Sequence, residues 1–380
     1  MSPPMEHELI ERVHSSGKHL LLSITGGGSR AIASLLEVPG ASASVIGAIV
    51  PYAPAALESW LGGAVDQHCS ERTSRAMAMT AFGRARQFCD ADRRSLRGIG
   101  ATASLATTRP KRGPHRIHVA WQSADATAAY SCELAKGERT RAEEELIATQ
   151  LILTAVCDAC GVDGASLLEP SVAAAVHRRE QHAPAAWSAL LLGERASAPI
   201  YDETTANADK TAVLFPGAFN PLHEGHLRMA ELAAERYGVP VTFELSITNV
   251  DKAPLDFIEL AERLEQLAGR RVLLTRAATF AEKSQVAPGC VFVVGMDTIV
   301  RIADPQYYCG DLAQRDDAIA TIANQGCRFL VFGRTMDDRF VKLSDVDVPA
   351  ALRELCEELP ESQFHSDVSS TDLRASRQST

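Results

Sequence analysis

Aromatic side chains are scarce in this sequence, at 6% of 380 residues, so core volume must come mainly from Ala, Leu, Val and Ile. An excess of positive charge is missing as well. Lys and Arg number 38 against 48 Asp and Glu, a net of −10, which argues against a nucleic-acid binder or a protein held on an anionic membrane. The Arg-rich stretch 84–116 lacks interleaved aromatics and reads as a solvated face. The nine cysteines are odd in number and without framework spacing, which excludes a disulfide scaffold and predicts reduced thiols in a cytoplasmic protein. Cys157-Asp158-Ala159-Cys160 has no second pair, so it reads as core cysteine and no metal-ligand set is assigned. Residues 38–57 carry no charge, yet Pro39, Pro51 and Pro54 with Gly40 break a helix, and a buried strand with turns is expected instead of a membrane span. The first residues are acidic with no apolar stretch, which predicts neither a secretory signal nor a transit peptide.

What is present is an ordinary globular composition, 46% hydrophobic and 23% charged, long enough for two domains. The first is expected over 1–195. A Leu-rich strand at His19–Ser23 runs into the turn Thr25-Gly26-Gly27-Gly28 and a short helix. A helix is read over 64–88, strands over 116–122 and 128–134, and a helix over 140–157 whose start is acidic at Glu143-Glu144-Glu145. Residues 196–210 are polar and aperiodic and read as a linker. From 211 to 380 strands and helices alternate, which predicts a parallel, doubly wound, Rossmann-like α/β sheet.

The strongest chemical signal is Gly217-Ala218-Phe219-Asn220-Pro221-Leu222-His223-Glu224-Gly225-His226, between a strand and a helix. Two histidines three apart at a helix start share a face. With free backbone N–H groups and the positive end of the helix dipole, they make a site for a triphosphate. Ser369-Ser370-Thr371-Asp372-Leu373-Arg374 places hydroxyls ahead of an Arg, a second phosphate clamp.

These segments resemble the HxGH and SSTxxR motifs of the nucleotidylyltransferase superfamily. With Val293-Val294-Gly295-Met296-Asp297-Thr298 they are most similar to the nicotinamide/nicotinate mononucleotide adenylyltransferases, over roughly residues 211–376. Ala218, where that family often has Ser or Thr, and the unfamiliar stretch 304–325 are departures. The resemblance implies transfer of AMP from ATP to a mononucleotide with release of pyrophosphate, the Mg²⁺ arriving with ATP. It also implies roles. His226 would contact the ATP phosphates with His223 assisting, Lys252 would bind phosphate, and Arg374 and Ser370 would hold the β- and γ-phosphates. Gly217, Ala218, Phe219, Gly295, Asp297, Ser369 and Thr371 would line the nucleotide. Two alternatives stay open: adenylyl or cytidylyl transfer to another phosphate ester, and a nucleotide-binding sensor or scaffold without turnover. A homo-oligomer is also left open.

The first half resembles the C-terminal domain of the competence-damage-inducible (CinA) proteins, a nicotinamide-nucleotide amidase, through Leu22-Ser23-Ile24-Thr25-Gly26-Gly27 and Val38-Pro39-Gly40-Ala41-Ser42. Ser23 and Tyr52 match that family's Ser and Tyr. The family's Lys falls at Leu57, and no Lys occurs between Lys18 and Lys111. The resemblance therefore implies a degenerate amidase site at Ser23, Thr25, Gly26, Gly27 and Tyr52, a deamidase only if still active. Its glycine turn is expected to keep room for a nucleotide phosphate.

Overall fold

The computed structural model describes residues 3–108, 112–201, 212–249, 253–336 and 339–364. Contacts divide the chain into two compact units, residues 1–192 with 251–261, and residues 193–250 with 262–380.

In the first unit the elements run α1 (Pro3–His14), β1 (His19–Thr25), α2 (Arg30–Glu37), β2 (Val45–Ile49), α3 (Pro54–Leu61), α4 (Glu71–Phe88), β3 (Leu96–Ser104), β4 (His115–Gln122), β5 (Ala126–Leu134), α5 (Arg141–Ala159), α6 (Pro170–Ala173), β6 (Val176–His182) and α7 (Ala185–Leu192). The sheet order is β2-β1-β3-β4-β5-β6, parallel between β1 and its two neighbours and antiparallel from β3 onward. Apolar residues of α1, α2 and α5 cover one face, including Leu9, Val13, Leu35, Leu151 and Ile152. On the other face α4 lies directly on β3. A Cβ at Gly98 would sit 2.1 Å from the Ala78 carbonyl, and one at Gly100 would sit 2.2 Å from that of Ser74.

Several expectations change here. The uncharged stretch 38–57 becomes a half-buried edge strand, β2, followed by α3. Residues 62–70 form no helix; Ser70 caps α4, so His68 sits in a loop where its carbonyl accepts from Thr102 Oγ1 at 2.8 Å. The arginines of the stretch 84–116 are not only solvated. Arg86 and Arg93 donate to the last carbonyls of α7, Leu191 and Leu192, at 2.9–3.3 Å.

The first unit is also discontinuous in sequence, with residues 251–261 part of it. Asp256 pairs with buried Arg75 at 2.7 Å, the Phe257 N–H donates to Thr127 Oγ1 at 3.0 Å, and Ile258 packs with Ala78, Ala120 and Ala129.

The second unit comprises β7 (Ser197–Ile200), β8 (Val213–Pro216), α8 (Glu224–Tyr237), β9 (Val241–Ser246), the end of α9 (Phe257–Gln266), β10 (Arg271–Thr275), α10 (Phe280–Val286), β11 (Val291–Gly295), α11 (Met296–Ala303), α12 (Leu312–Asn324), β12 (Arg328–Phe332), the hairpin β13 (Arg334–Met336) and β14 (Arg339–Val341), α13 (Ala350–Glu354) and β15 (Cys356–Leu359). Its main sheet is ordered β15-β12-β11-β8-β9-β10-β7. Every pair is parallel except β10 with β7. Counted from β8, six strands follow the doubly wound order 3-2-1-4-5-6. Residues 197–200, expected as linker, instead form the antiparallel edge strand, where Pro199 is tolerated because an edge leaves one side of the strand unpaired.

Candidate functional site

In an open α/β sheet the ligand crevice lies outside the carboxyl ends of the strands, where the strand order reverses. Here that point falls between β8 and β11, which pair through Val213–Val291 and Leu214–Phe292. The loop after β8 runs into α8, with His223 at its N-cap and His226 in its first turn, and β11 runs directly into α11, with Gly295 at the junction and Asp297 in the first turn. Tertiary topology thus makes neighbours of two segments about 75 residues apart.

His223 is the N-cap of α8 in extended conformation, and His226 stands in the first turn. Their rings stack, with centroids 3.7 Å apart and planes 27° from parallel. The His223 N–H points at His226 Nδ1 over 3.4 Å. Accepting at Nδ1 leaves the proton of the neutral ring on Nε2, a donor for a phosphate oxygen. Burial, and then the neighbouring His223, hold His226 down at about 4. The ring is therefore neutral at pH 7, with Nε2 able to donate. Edge contacts with Phe219 at 5.3 Å and Phe215 at 5.8 Å fix its plane.

The loop before the histidines is shaped by close packing. A Cβ at Gly217 would lie 2.6 Å from the Phe219 ring. Phe219 is almost fully buried and left-handed at φ 45°, and a cis bond joins Asn220 to Pro221. Hydrogen bonds among the described residues tie the loop down. Gly217 N–H donates to the Glu244 carbonyl at 3.1 Å, Arg263 Nη1 to the Ala218 carbonyl at 3.1 Å, and Leu222 N–H to Gln266 Oε1 at 3.0 Å. Across the switch point, Gly295 caps α11, and a Cβ there would meet Asp297 Oδ1 at 2.6 Å. Lys252, Ser369, Ser370, Thr371 and Arg374 lie outside the described residues.

Arg263 and Gln266 were not singled out in the sequence. They sit three apart in a charged helix, a pattern shared by any solvated face. The buried pair Lys283–Glu244 was missed for the same reason. Lys283 Nζ reaches both Glu244 oxygens at 2.8–3.0 Å and the Ala277 carbonyl at 2.8 Å, so all three of its protons are used.

The glycine turn of the first unit also borders a cavity, of about 510 Å³, lined by Thr25, Gly26, Gly27, Tyr52, Arg141 and Glu145 among others. Several of its anion-binding groups are already used. Glu145 Oε1 accepts from the Gly28 N–H at 2.7 Å and the Ser29 N–H at 3.1 Å, and Arg141 donates to the Gly26 carbonyl at 3.0 Å. Two backbone donors that a phosphate would use at this turn are thus held by the chain's own carboxylate. Ser23 is fully buried, its hydroxyl has no hydrogen-bond partner among the described residues, and it does not line the cavity. Leu57, at the position of the amidase Lys, is a buried residue of α3. Thr25, Gly26, Gly27 and Tyr52 are brought together as expected; Ser23 is not.

Residues 214–376 match the cytidylyltransferase-like family. A Schizosaccharomyces pombe protein, provisionally named a nicotinamide mononucleotide adenylyltransferase, is 35% identical over 115 residues. That match spans 27% of this chain and 45% of the relative, so the chain covers less than half of the relative's length. Among solved structures, the competence/damage-inducible protein CihA of Agrobacterium tumefaciens is 21% identical, covering 42% of this chain and 96% of its own, with a TM-score of 0.31. A CinA superfamily protein of Klebsiella pneumoniae is 16% identical, covering 41% and 98%, with a TM-score of 0.33.

Proposed function

We propose that the second unit transfers AMP from ATP to nicotinamide or nicotinate mononucleotide, releasing pyrophosphate. The observation that carries this reading is the stacked His223–His226 pair at the start of α8, on the switch point of a doubly wound sheet. The cytidylyltransferase-like match and the mononucleotide adenylyltransferase name of the yeast relative support it.

A phosphate oxygen of the mononucleotide attacks the α-phosphorus of ATP, and the bond from that phosphorus to the α,β-bridging oxygen breaks, the oxygen leaving with pyrophosphate. No covalent enzyme intermediate is required; positioning and charge stabilisation suffice. The neutral His226 donates from Nε2 to the phosphate whose charge grows, and His223 supports it by stacking. Lys252, Ser370 and Arg374 are proposed to hold the outer phosphates. Mg²⁺ enters as Mg·ATP. Among the described residues no cluster of three or more His, Cys, Asp or Glu forms a cage. The ion would be carried mainly by phosphates and water, with Asp297 in the first turn of α11 as the carboxylate proposed to assist.

The test is pyrophosphate release from ATP or CTP with a panel of mononucleotides and phosphate esters. Release with ATP and nicotinamide or nicotinate mononucleotide supports the reading. Release only with CTP, or only with another ester, moves the assignment to a different branch. Nucleotide binding with no turnover on any pair makes the protein a sensor.

A further inference from the structure

We infer that Arg263 and Gln266 are positioning residues that hold the phosphate-facing loop 217–222 in its working shape. The inference rests on the nucleotidyl-transfer reading. The loop has no regular structure of its own, and Phe219 adopts a left-handed backbone that a bulky residue keeps only when its surroundings impose it. Arg263 and Gln266 lie three apart on α9, hence on one face, and each takes a backbone group of the loop, the Ala218 carbonyl and the Leu222 N–H. The two contacts bracket Phe219.

The Ala218 carbonyl and the Phe219 N–H share one planar trans peptide and point in opposite directions. Drawing the carbonyl to Arg263 therefore turns the Phe219 N–H to the far side of the peptide, and it has no hydrogen-bond partner among the described residues. The same peptide sets the Phe219 ring, which meets His226 edge-on at 5.3 Å and packs on Phe215 and Phe243. A chain of contacts thus runs from Arg263 through the peptide and the ring to the imidazole. Arg263 is itself buried, so its charge has been taken from water. An exposed helix position would need no such cost.

The experiment uses the full chain in three variants, Arg263→Ala, Arg263→Lys and Gln266→Ala, plus Arg263→Ala in a His226→Ala background. Circular dichroism and thermal melting report folding. With Mg·ATP and the best acceptor, Arg263→Ala should lower kcat ~10–100-fold with KM for the acceptor within about twofold, the cost of a small misplacement. Arg263→Lys should recover part of the loss, and Gln266→Ala should cost less. In the His226→Ala background the Arg263 substitution should add little, because both act through one imidazole. A second readout needs no activity. Ring-proton NMR should show His226 titrating near 4 in the parent. In Arg263→Ala it should move toward 6.5 as the Phe219 lid loosens and water reaches the ring beside His223. Unchanged kcat, additive losses with His226→Ala, or an unmoved titration in a folded variant would each overturn the inference. A parent without turnover on any nucleotide overturns the proposed function alone, and the titration still decides the role of Arg263.

Discussion

The two histidines of the loop differ in what the fold does to them. His226 is pressed against Phe215 and Phe219 and kept neutral, while His223 holds the N-cap position. His226→Ala removes a donor to the developing charge. Transfer should fall ~10²–10³-fold with the melting temperature little changed, measured by pyrophosphate release and calorimetry. Activity within threefold of the parent would remove His226 from the mechanism. The depressed His226 has a sign for stability as well. Its neutral form is favoured on folding, so its contribution is complete above 6.5 and fades as pH falls toward about 4. In free enzyme it should produce no limb in kcat/KM between pH 5 and 8. Arg374→Lys keeps the charge of the second clamp and loses its fork; ATP binding should weaken and turnover slow, by titration and steady-state rates.

At the scale of elements, α5 shows how one run of like residues divides into separate tasks. Glu143 closes a capping box with Thr140, whose hydrogen bonds hold its carboxyl below the usual range. Glu144 is fully buried, bonded to His115 at 2.7 Å and to the Ala106 N–H at 2.5 Å. Glu145 reaches back to the Gly28 and Ser29 N–H groups just ahead of α2. Glu143 and Glu144 stand in the first turn, where the sequence expectation put acids, and Glu145 lies just beyond it; only packing separates their partners. Glu145→Ala should cost about 1–3 kcal/mol of stability, the range for a charge-assisted hydrogen bond at a helix end. It should also free the Gly28 and Ser29 N–H groups for an anion. Titration with pyrophosphate checks this; no binding to the variant would mean that the turn is closed for another reason. In the second unit, Gly217→Ala pushes a methyl into the Phe219 ring, and transfer should drop while the sheet survives.

At the scale of the whole molecule, the chain order of the first unit is its least expected property. Arg75 is buried in α4, and its partner Asp256 comes from a segment about 180 residues later. Residues 1–195 expressed alone would keep Arg75 and lose Asp256, Phe257 and Ile258. Removing one partner of a buried pair costs about 3–5 kcal/mol. The fragment should therefore unfold at lower denaturant than the same unit in the full chain, monitored by Trp121 and Trp187 fluorescence. Equal midpoints would show that the segment adds nothing to that unit. The full chain is accordingly the right material for the amidase question. With Ser23 buried, Leu57 in place of a lysine and the turn occupied by Glu145, no ammonia should appear from nicotinamide mononucleotide. Ammonia that vanishes in Ser23→Ala would reverse that reading.

Strand–helix alternation from 213 onward, the αL glycine closing α8 and the spacing of the two histidines were legible in the sequence. Each is local, set by periodicity or by a single residue's backbone freedom. Sheet order, the meeting of the histidine loop with Gly295 and Asp297, and the bracing of that loop by α9 were not. They depend on which strands become neighbours, and nothing in a strand's own residues names the partner. The edge strand at 197–200 escaped for the same reason, because a Pro-bearing tetrapeptide becomes a strand only when β10 offers it hydrogen bonds. The glycine turn at 25–28 was equally plain as a turn. Whether its amides meet a ligand or Glu145 was decided 117 residues further on, by where α5 comes to rest.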